Sequence, residues 1–333
     1  MFNYKQIHDI ENKNIPSFLL DFINVKEFKR LQNVGMSCGL EYTSFPFFKD
    51  LFPYSRYDHS IGVALLLSRF TSDKKVIISG LYHDISTPCF AHVIDFLNGD
   101  REKQESTEDE TKNIIHNSKE IQSLLLKYDL KEDEINDYHL YPLADNDTPH
   151  LSCDRLEYHI GNIIQYHSLS IEQVKCIIDD LIILKSKENI QEIGFKHLDL
   201  AKQFVKASLI NSRTYISNED RYAMEILARL LKDFINKKII TKEDLYTDEK
   251  EIISKINNNP YSKELFNKFR SLDYIDVSSI SKDGYIQIRA KKRYINPLIK
   301  DKGRILSLDK ELSNEVESFL NIDFKEYLKG KQI

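Results

Sequence analysis

The sequence predicts a mostly α-helical protein, and three observations carry that expectation. Apolar residues recur at helical spacing through nine segments between Ser17 and Asn257. Glycine and proline, 10 and 8 among 333 residues, are too scarce to punctuate a strand-and-turn protein. Runs that alternate as strands do are confined to the chain beyond residue 258.

In order, the helical spacing covers Ser17–Leu31, Ser60–Phe70, Lys75–His83, Thr107–Tyr128 and Ser152–Tyr166, then Ile171–Lys185, Leu198–Ile216, Asp220–Lys237 and Lys242–Asn257. Several starts carry capping signals: Asp73 before KKVIISGLY, Ser170 with Gln173 three residues on, and Thr241 with Asp244 in the same relation. Asn257–Pro260 interrupts the pattern. Behind it, Tyr274–Ser279 and Tyr285–Ala290 alternate across Lys282-Asp283-Gly284 and predict a β-hairpin. The expected organisation is a helical domain over 1–257 and a small α+β region over 258–333, with a closely packed extension of the first domain equally compatible.

Composition narrows the function. A formal charge of −5 gives no global attraction to nucleic acid or to an anionic membrane, so phosphate recognition has to rest on local cations. The N-terminal residues show no basic stretch followed by an apolar one, and no run approaches 18 apolar residues; the expectation is a cytoplasmic protein without membrane partners. Cys38, Cys89, Cys153 and Cys176 are scattered without a CxxC pair, which argues against a zinc knuckle or a disulfide framework. No glycine-rich phosphate loop is present. An assembly of identical copies is compatible with all of this.

The chemistry resides in a spaced set of histidines and aspartates. His8-Asp9 precedes any strong helix and has no companions, so it reads as a terminal element. His83-Asp84 ends the apolar run VIISGLY, where a buried carboxylate needs a partner. His59 opens the apolar run SIGVALLLSRF, and Asp154 stands at the start of RLEYHIGNII. Two imidazoles and two carboxylates at helix ends form a mixed nitrogen and oxygen set suited to one divalent first-row metal, with room left for water and a phosphate oxygen. Several metals fit such a set.

These blocks resemble the HD superfamily, and within it the deoxynucleoside triphosphate triphosphohydrolase-like branch. The resemblance lies in FINVKEFKRLQNVG, SRYDHSIGVALL, GLYHDISTPCFAHVIDF and SCDRLEYHIGN, and spans Ser17 to Tyr166. It implies an HD-domain helical bundle, metal ligation by His59, His83, Asp84 and Asp154, and contact of Arg56, Arg155 and Tyr158 with substrate phosphates. A guanidinium suits that role because it hydrogen-bonds phosphate in bidentate fashion. A structural ion pair for Arg56 and a core position for Tyr158 are the plainer alternatives.

Two departures from the branch are equally informative. Thr87 and Thr107 stand where histidines are usual, and neither exchanges protons near neutral pH. Either the general acid is another residue, with His92, Glu105, Glu108 and Asp95 as candidates, or the reaction needs less protonation of its leaving group. The basic stretch around Arg289, Lys291, Lys292, Arg293, Lys300 and Lys302 reads either as a solvated strand edge or as a nucleotide or partner phosphate site between subunits. Together these features predict a metal-dependent phosphohydrolase acting on a nucleotide or another small phosphorylated substrate, and the triphosphohydrolase branch implies a dNTP. A nucleoside monophosphatase, a phosphodiesterase of a signalling nucleotide, or a non-catalytic nucleotide-binding regulator on the same scaffold are the alternatives.

Overall fold

The structure is a computed structural model, and it describes residues 4–99, 107–108 and 110–331. Helices dominate it, as the spacing predicts, with only small sheets. Among the described residues, no helix is long and apolar enough to cross a membrane.

The N-terminal helices α1 (Lys5–Glu11) and α2 (Ser17–Ile23) precede the central one, α3 (Arg56–Phe70). Ser55 begins α3 through a reciprocal capping box with Asp58, which satisfies amide groups that have no partner inside the helix. From His59 to Leu67 every residue of α3 is buried, so this helix has no polar face. It packs against α4 (Lys74–Tyr82), whose first turn is capped by Asp73, and against α8 (Cys153–Gln165), capped by Ser152. Between them lie α5 (Val93–Asn98), α6 (Thr111–Asn117) and α7 (Lys119–Tyr128).

Later in the chain come α9 (Ile171–Asp180), β1 (Leu181–Lys185), β2 (Gln191–Phe195), α10 (Leu198–Thr214) and α11 (Asn218–Asn236). Helices α12 (Glu249–Asn258) and α13 (Pro260–Arg270) then lead to β3 (Tyr274–Ser278), β4 (Leu298–Ile299) and β5 (Gly303–Arg304). The described chain closes with α14 (Lys310–Leu320) and β6 (Tyr327–Lys331).

Five expectations need correction. The helix read over Ile171–Lys185 stops at Asp180; Leu181–Lys185 is a strand, paired antiparallel with β2 from Leu181↔Phe195 to Lys185↔Gln191. Its Leu-Ile-Ile-Leu run suits a helix face and a buried strand equally well, and the pairing with β2 decides. The expected hairpin is a different sheet: β3 pairs with β6, and the second run meets it through a backbone bridge of Ile286 to Leu328 and a hydrogen bond from Tyr285 Oη to Asp276 at 2.6 Å. Thr107–Tyr128 is two helices separated at Ser118, which caps α7, and Ser17–Leu31 is likewise interrupted at Asn24–Val25. Lys242–Asn257 starts as a short 3₁₀ turn, Glu243–Tyr246, before α12.

Burial falls into two large apolar clusters and a small one. The first surrounds α3, α4 and α8, and also contains Ile295, Ile299, Ile305 and Leu312. The second joins Phe90, Val93 and Phe96 to α11, α12 and α13, and takes in Ile275, Ile288 and Leu328. The third sets Leu209 and Ile216 against Val316 and Phe319. Chain beyond residue 258 thus contributes to all three. In addition β4 extends the β1–β2 sheet, running parallel to β2 at Gly194↔Leu298, where a side chain on Gly194 would meet the Leu298 carbonyl at 2.6 Å.

Candidate metal centre

Three helix ends meet at one point. His59 lies in the first turns of α3, His83 and Asp84 directly follow α4, and Asp154 is in the first turn of α8. His59 Nε2 is 3.2 Å from His83 Nε2, and Asp154 Oδ1 is 3.0 Å from the former and 3.3 Å from the latter. These three residues form a group able to hold an ion. Asp84 stands beside them, its Oδ2 3.8 and 3.6 Å from the two imidazole nitrogens.

The proton positions show what such a cluster needs. His83 Nδ1 is 2.7 Å from the carbonyl of Gly80, which can only accept, so the ring proton is on Nδ1 and Nε2 presents a lone pair. His59 Nδ1 likewise faces the Glu157 carboxylate. Two nitrogen lone pairs and a carboxylate oxygen therefore converge, and only positive charge reconciles them. Ligands of a first-row metal lie about 2.1 Å from the ion and so about 3 Å from each other, which is the spacing here. The donor set thus fits a divalent metal.

The electrostatics show the same demand for positive charge, met by a proton where a metal would otherwise supply it. Burial opposes charge on His59, yet Glu157 and Asp154 override it and move its pKa up to about 10; His83 moves upward as well, against burial, through Asp84 and Asp154. Burial would raise Asp154, but hydrogen bonds from His59 and His83 hold it well below the ordinary carboxylate range. Asp84 is also held low, against burial, by Arg56 first and then by the two imidazoles.

Behind the cluster is a residue that the sequence did not reveal. Glu157 is fully buried and accepts from Tyr4 Oη, from Tyr54 Oη at 2.7 Å, and from His59. Orientation of a ligand histidine by a buried carboxylate is a recurrent means of fixing its tautomer. Glu157 is one helical turn after Asp154, but a lone glutamate on an amphipathic helix reads as a solvated side chain. Tyr138 and Asp220 were also not singled out as site residues, and both line the cavity in front of the cluster, together with Arg293 of the basic stretch.

That cavity measures about 500 Å³ and reaches His83, Asp84 and Asp154 at its floor. Arg56 lines it but is buried and donates to Asp84 Oδ2 at 2.8 Å, so it is paired inside the site and not in an exposed ion pair. Arg155 also lines it and donates to Asp145 Oδ1 at 2.7 Å, to Thr148 Oγ1 at 3.1 Å and to the Asn146 carbonyl, so it clamps the loop before α8. Tyr158 is in the cavity wall, edge-on to Tyr215, rather than in the core.

Of the acid candidates, His92 and Glu108 are on the cavity wall, and Glu105 lies outside the described residues. His92 Nδ1 bonds to buried Asp95 at 3.0 Å; burial lowers its pKa, and Arg293 and Arg56 add to that. Burial raises Glu108, against a hydrogen bond with Tyr138. Thr87, in the place of a usual histidine, donates to Asp84 Oδ1 at 2.7 Å and so orients the carboxylate instead of moving protons.

The HD domain family model matches residues 56–186, an interval that holds all four donors. The chain carries an HD domain. Two curated relatives resemble it: Bacillus subtilis YdhJ, 27% identical over 202 residues covering 60% of each chain, and the Cordyceps militaris metal-dependent phosphohydrolase cns2, 24% identical over 164 residues. The second alignment covers 49% of this chain and 45% of the relative, so the chain spans less than two thirds of the length of either. Among solved structures, a phosphohydrolase from Bacteroides thetaiotaomicron superposes with a TM-score of 0.63 at 17% identity, covering 96% of this chain and 97% of that one. A hypothetical protein from Aquifex aeolicus gives 0.62 at 18%, covering 94% and 92%. At those identities the likeness is one of fold, and it extends well beyond the HD domain itself.

Proposed function

We propose that this chain is a metal-dependent phosphohydrolase that cleaves a phosphate ester or anhydride of a nucleotide, in the manner of a dNTP triphosphohydrolase. The observation that carries the reading is the convergence of two imidazole lone pairs and a carboxylate, with a second carboxylate beside them, on the floor of a cavity of about 500 Å³. His59, His83, Asp84 and Asp154 would hold the ion. When bound, a divalent metal polarises a phosphoryl oxygen and lowers the pKa of water.

The remaining work falls to the protein. Arg56 and Arg155 place guanidinium charge along the cavity where the non-bridging phosphate oxygens would lie, and their bonds to Asp84 and to the 145–148 loop hold them in position beforehand. Tyr158 offers a hydroxyl and a ring face to the substrate. Glu108, whose pKa burial raises, or His92, oriented by Asp95, would supply the proton to the leaving oxygen.

A panel of nucleoside mono-, di- and triphosphates and cyclic dinucleotides, assayed with Mn²⁺, Co²⁺, Ni²⁺, Fe²⁺ and Mg²⁺, tests this. Release of tripolyphosphate from a dNTP is expected. Orthophosphate from a monophosphate alone would move the substrate to the monophosphatase reading, which the loss of both branch histidines to Thr87 and Thr107 favours. Nucleotide binding without product would contradict hydrolysis.

A further inference from the structure

The HD domain match ends at residue 186, but the cavity over the donor cluster has a wall from much later in the chain. Ala290, Lys291 and Arg293 line it, on a segment that runs from 287 to 297 without helix or strand. That segment is nevertheless fixed. Arg221 donates to the Ile288 carbonyl at 2.5 Å, Lys292 donates to the carbonyls of Leu320 and Ile322 behind it, and the Phe324 ring lies 4.6 Å from the Arg221 guanidinium and 5.4 Å from Lys292. The tethered side faces the C-terminal elements and leaves Arg293 on the cavity side.

The same segment borders a second cavity of about 510 Å³, to which Arg289, Lys291, Lys292 and Lys325 contribute, with Asp323. Ala290 and Lys291 line both cavities, so the two adjoin along this basic segment. The first cavity is thus lined by cations from two parts of the chain: Arg56 on Asp84 and Arg155 on Asp145, and Lys291 and Arg293 on the later segment. His92, Tyr158, His159, Tyr215 and Asp220 all feel the charge of Arg293, whereas Asp84 and Asp154 respond to Arg56, to the two imidazoles or to both.

We propose that Lys291 and Arg293 are specificity-determining residues that bind the distal phosphates of a polyphosphate chain whose nearer phosphoryl group lies at the donor cluster. A protein with a net charge of −5 has no diffuse field to hold a polyanion, so the charge must be local, and a guanidinium fixed in place loses little freedom on binding. The inference rests on the phosphohydrolase reading and narrows its substrate to compounds with more than one linked phosphate.

The test compares the full-length protein with Arg293→Ala, Lys291→Ala and Arg293→Lys. Binding of inorganic tripolyphosphate and of orthophosphate is measured by calorimetry in a fixed excess of Mg²⁺, and turnover is followed with a nucleoside triphosphate and with p-nitrophenyl phosphate. Arg293→Ala should weaken tripolyphosphate about tenfold and raise KM for the triphosphate about as much, the loss of one charged contact, while orthophosphate binding and p-nitrophenyl phosphate turnover change less than about twofold. Arg293→Lys should recover part of the loss. Equal losses for both anions, or none for tripolyphosphate, would overturn the proposal. If the unaltered protein turned over neither substrate, the hydrolytic reading would fail, and the two calorimetric titrations would still decide whether this wall selects polyphosphate.

Discussion

Glu157 does for His59 what the Gly80 carbonyl does for His83: each holds a proton on Nδ1 and turns Nε2 toward the other donors. Glu157→Gln keeps the shape but replaces an obligate acceptor with a group that also donates, so metal affinity should fall about 10- to 100-fold, measured by competition with a chelator. Gly62→Ala should act in the same direction, because its new methyl carbon would stand 2.7 Å from Glu157. Unchanged affinity in Glu157→Gln would mean that His59 needs no such partner. Glu108 makes a different prediction. Its pKa is raised by burial and the acid form is the active one, so turnover should be full below that raised pKa and decline as pH rises through it. Glu108→Gln should lose at least about tenfold in turnover together with that limb of the profile. Retention of both would pass the role to His92 or to water. At this scale the donors were legible because His83-Asp84, His59 and Asp154 each stand at the edge of an apolar helical run, while Glu157 was not, since its partners Tyr4 and Tyr54 lie 153 and 103 residues away.

The elements matter because they fix where those side chains start. Helix α3 has its first turn set by the Ser55–Asp58 capping box, and His59 follows at once. Ser55→Ala should cost about 1 kcal/mol in denaturant unfolding, the usual value of such a cap, and should weaken metal binding as the first turn frays. A stability loss with no effect on the metal would show that packing alone holds His59. Caps and long apolar helices could be read from sequence because both are local: the Asp73 cap and the Ser170–Gln173 box are present as the residue types imply. Strand pairing is not local. Leu181–Lys185 continues the apolar spacing of α9, and β6, the true partner of β3, is the polar run Tyr-Leu-Lys-Gly-Lys some fifty residues beyond it.

Over the whole molecule, the residues after 258 and the helical body share their apolar cores. Phe266, Phe269, Leu272, Ile275, Ile288 and Leu328 are buried in the second cluster, and Ile295, Ile299, Ile305 and Leu312 in the first. At roughly 1.5–3 kcal/mol for each side chain, their removal outweighs the net stability of about 5–15 kcal/mol typical of a domain. A chain ending at residue 257 should therefore show no cooperative thermal transition; a sharp one near that of the full chain would mean that the helical body is independent. The helical class and the apolar periodicity were visible in the sequence, but the cavity's outer wall was not, because Lys291 and Arg293 reach it from more than a hundred residues beyond the HD domain match. The most direct measurement is elemental analysis of the purified protein after reconstitution with Mn²⁺, Fe²⁺, Co²⁺ or Ni²⁺. One ion per chain is predicted for the unaltered protein, and a large loss for His83→Ala and Asp154→Ala variants that still unfold cooperatively. No bound metal, or the same stoichiometry in folded variants, would contradict the centre built from His59, His83, Asp84 and Asp154.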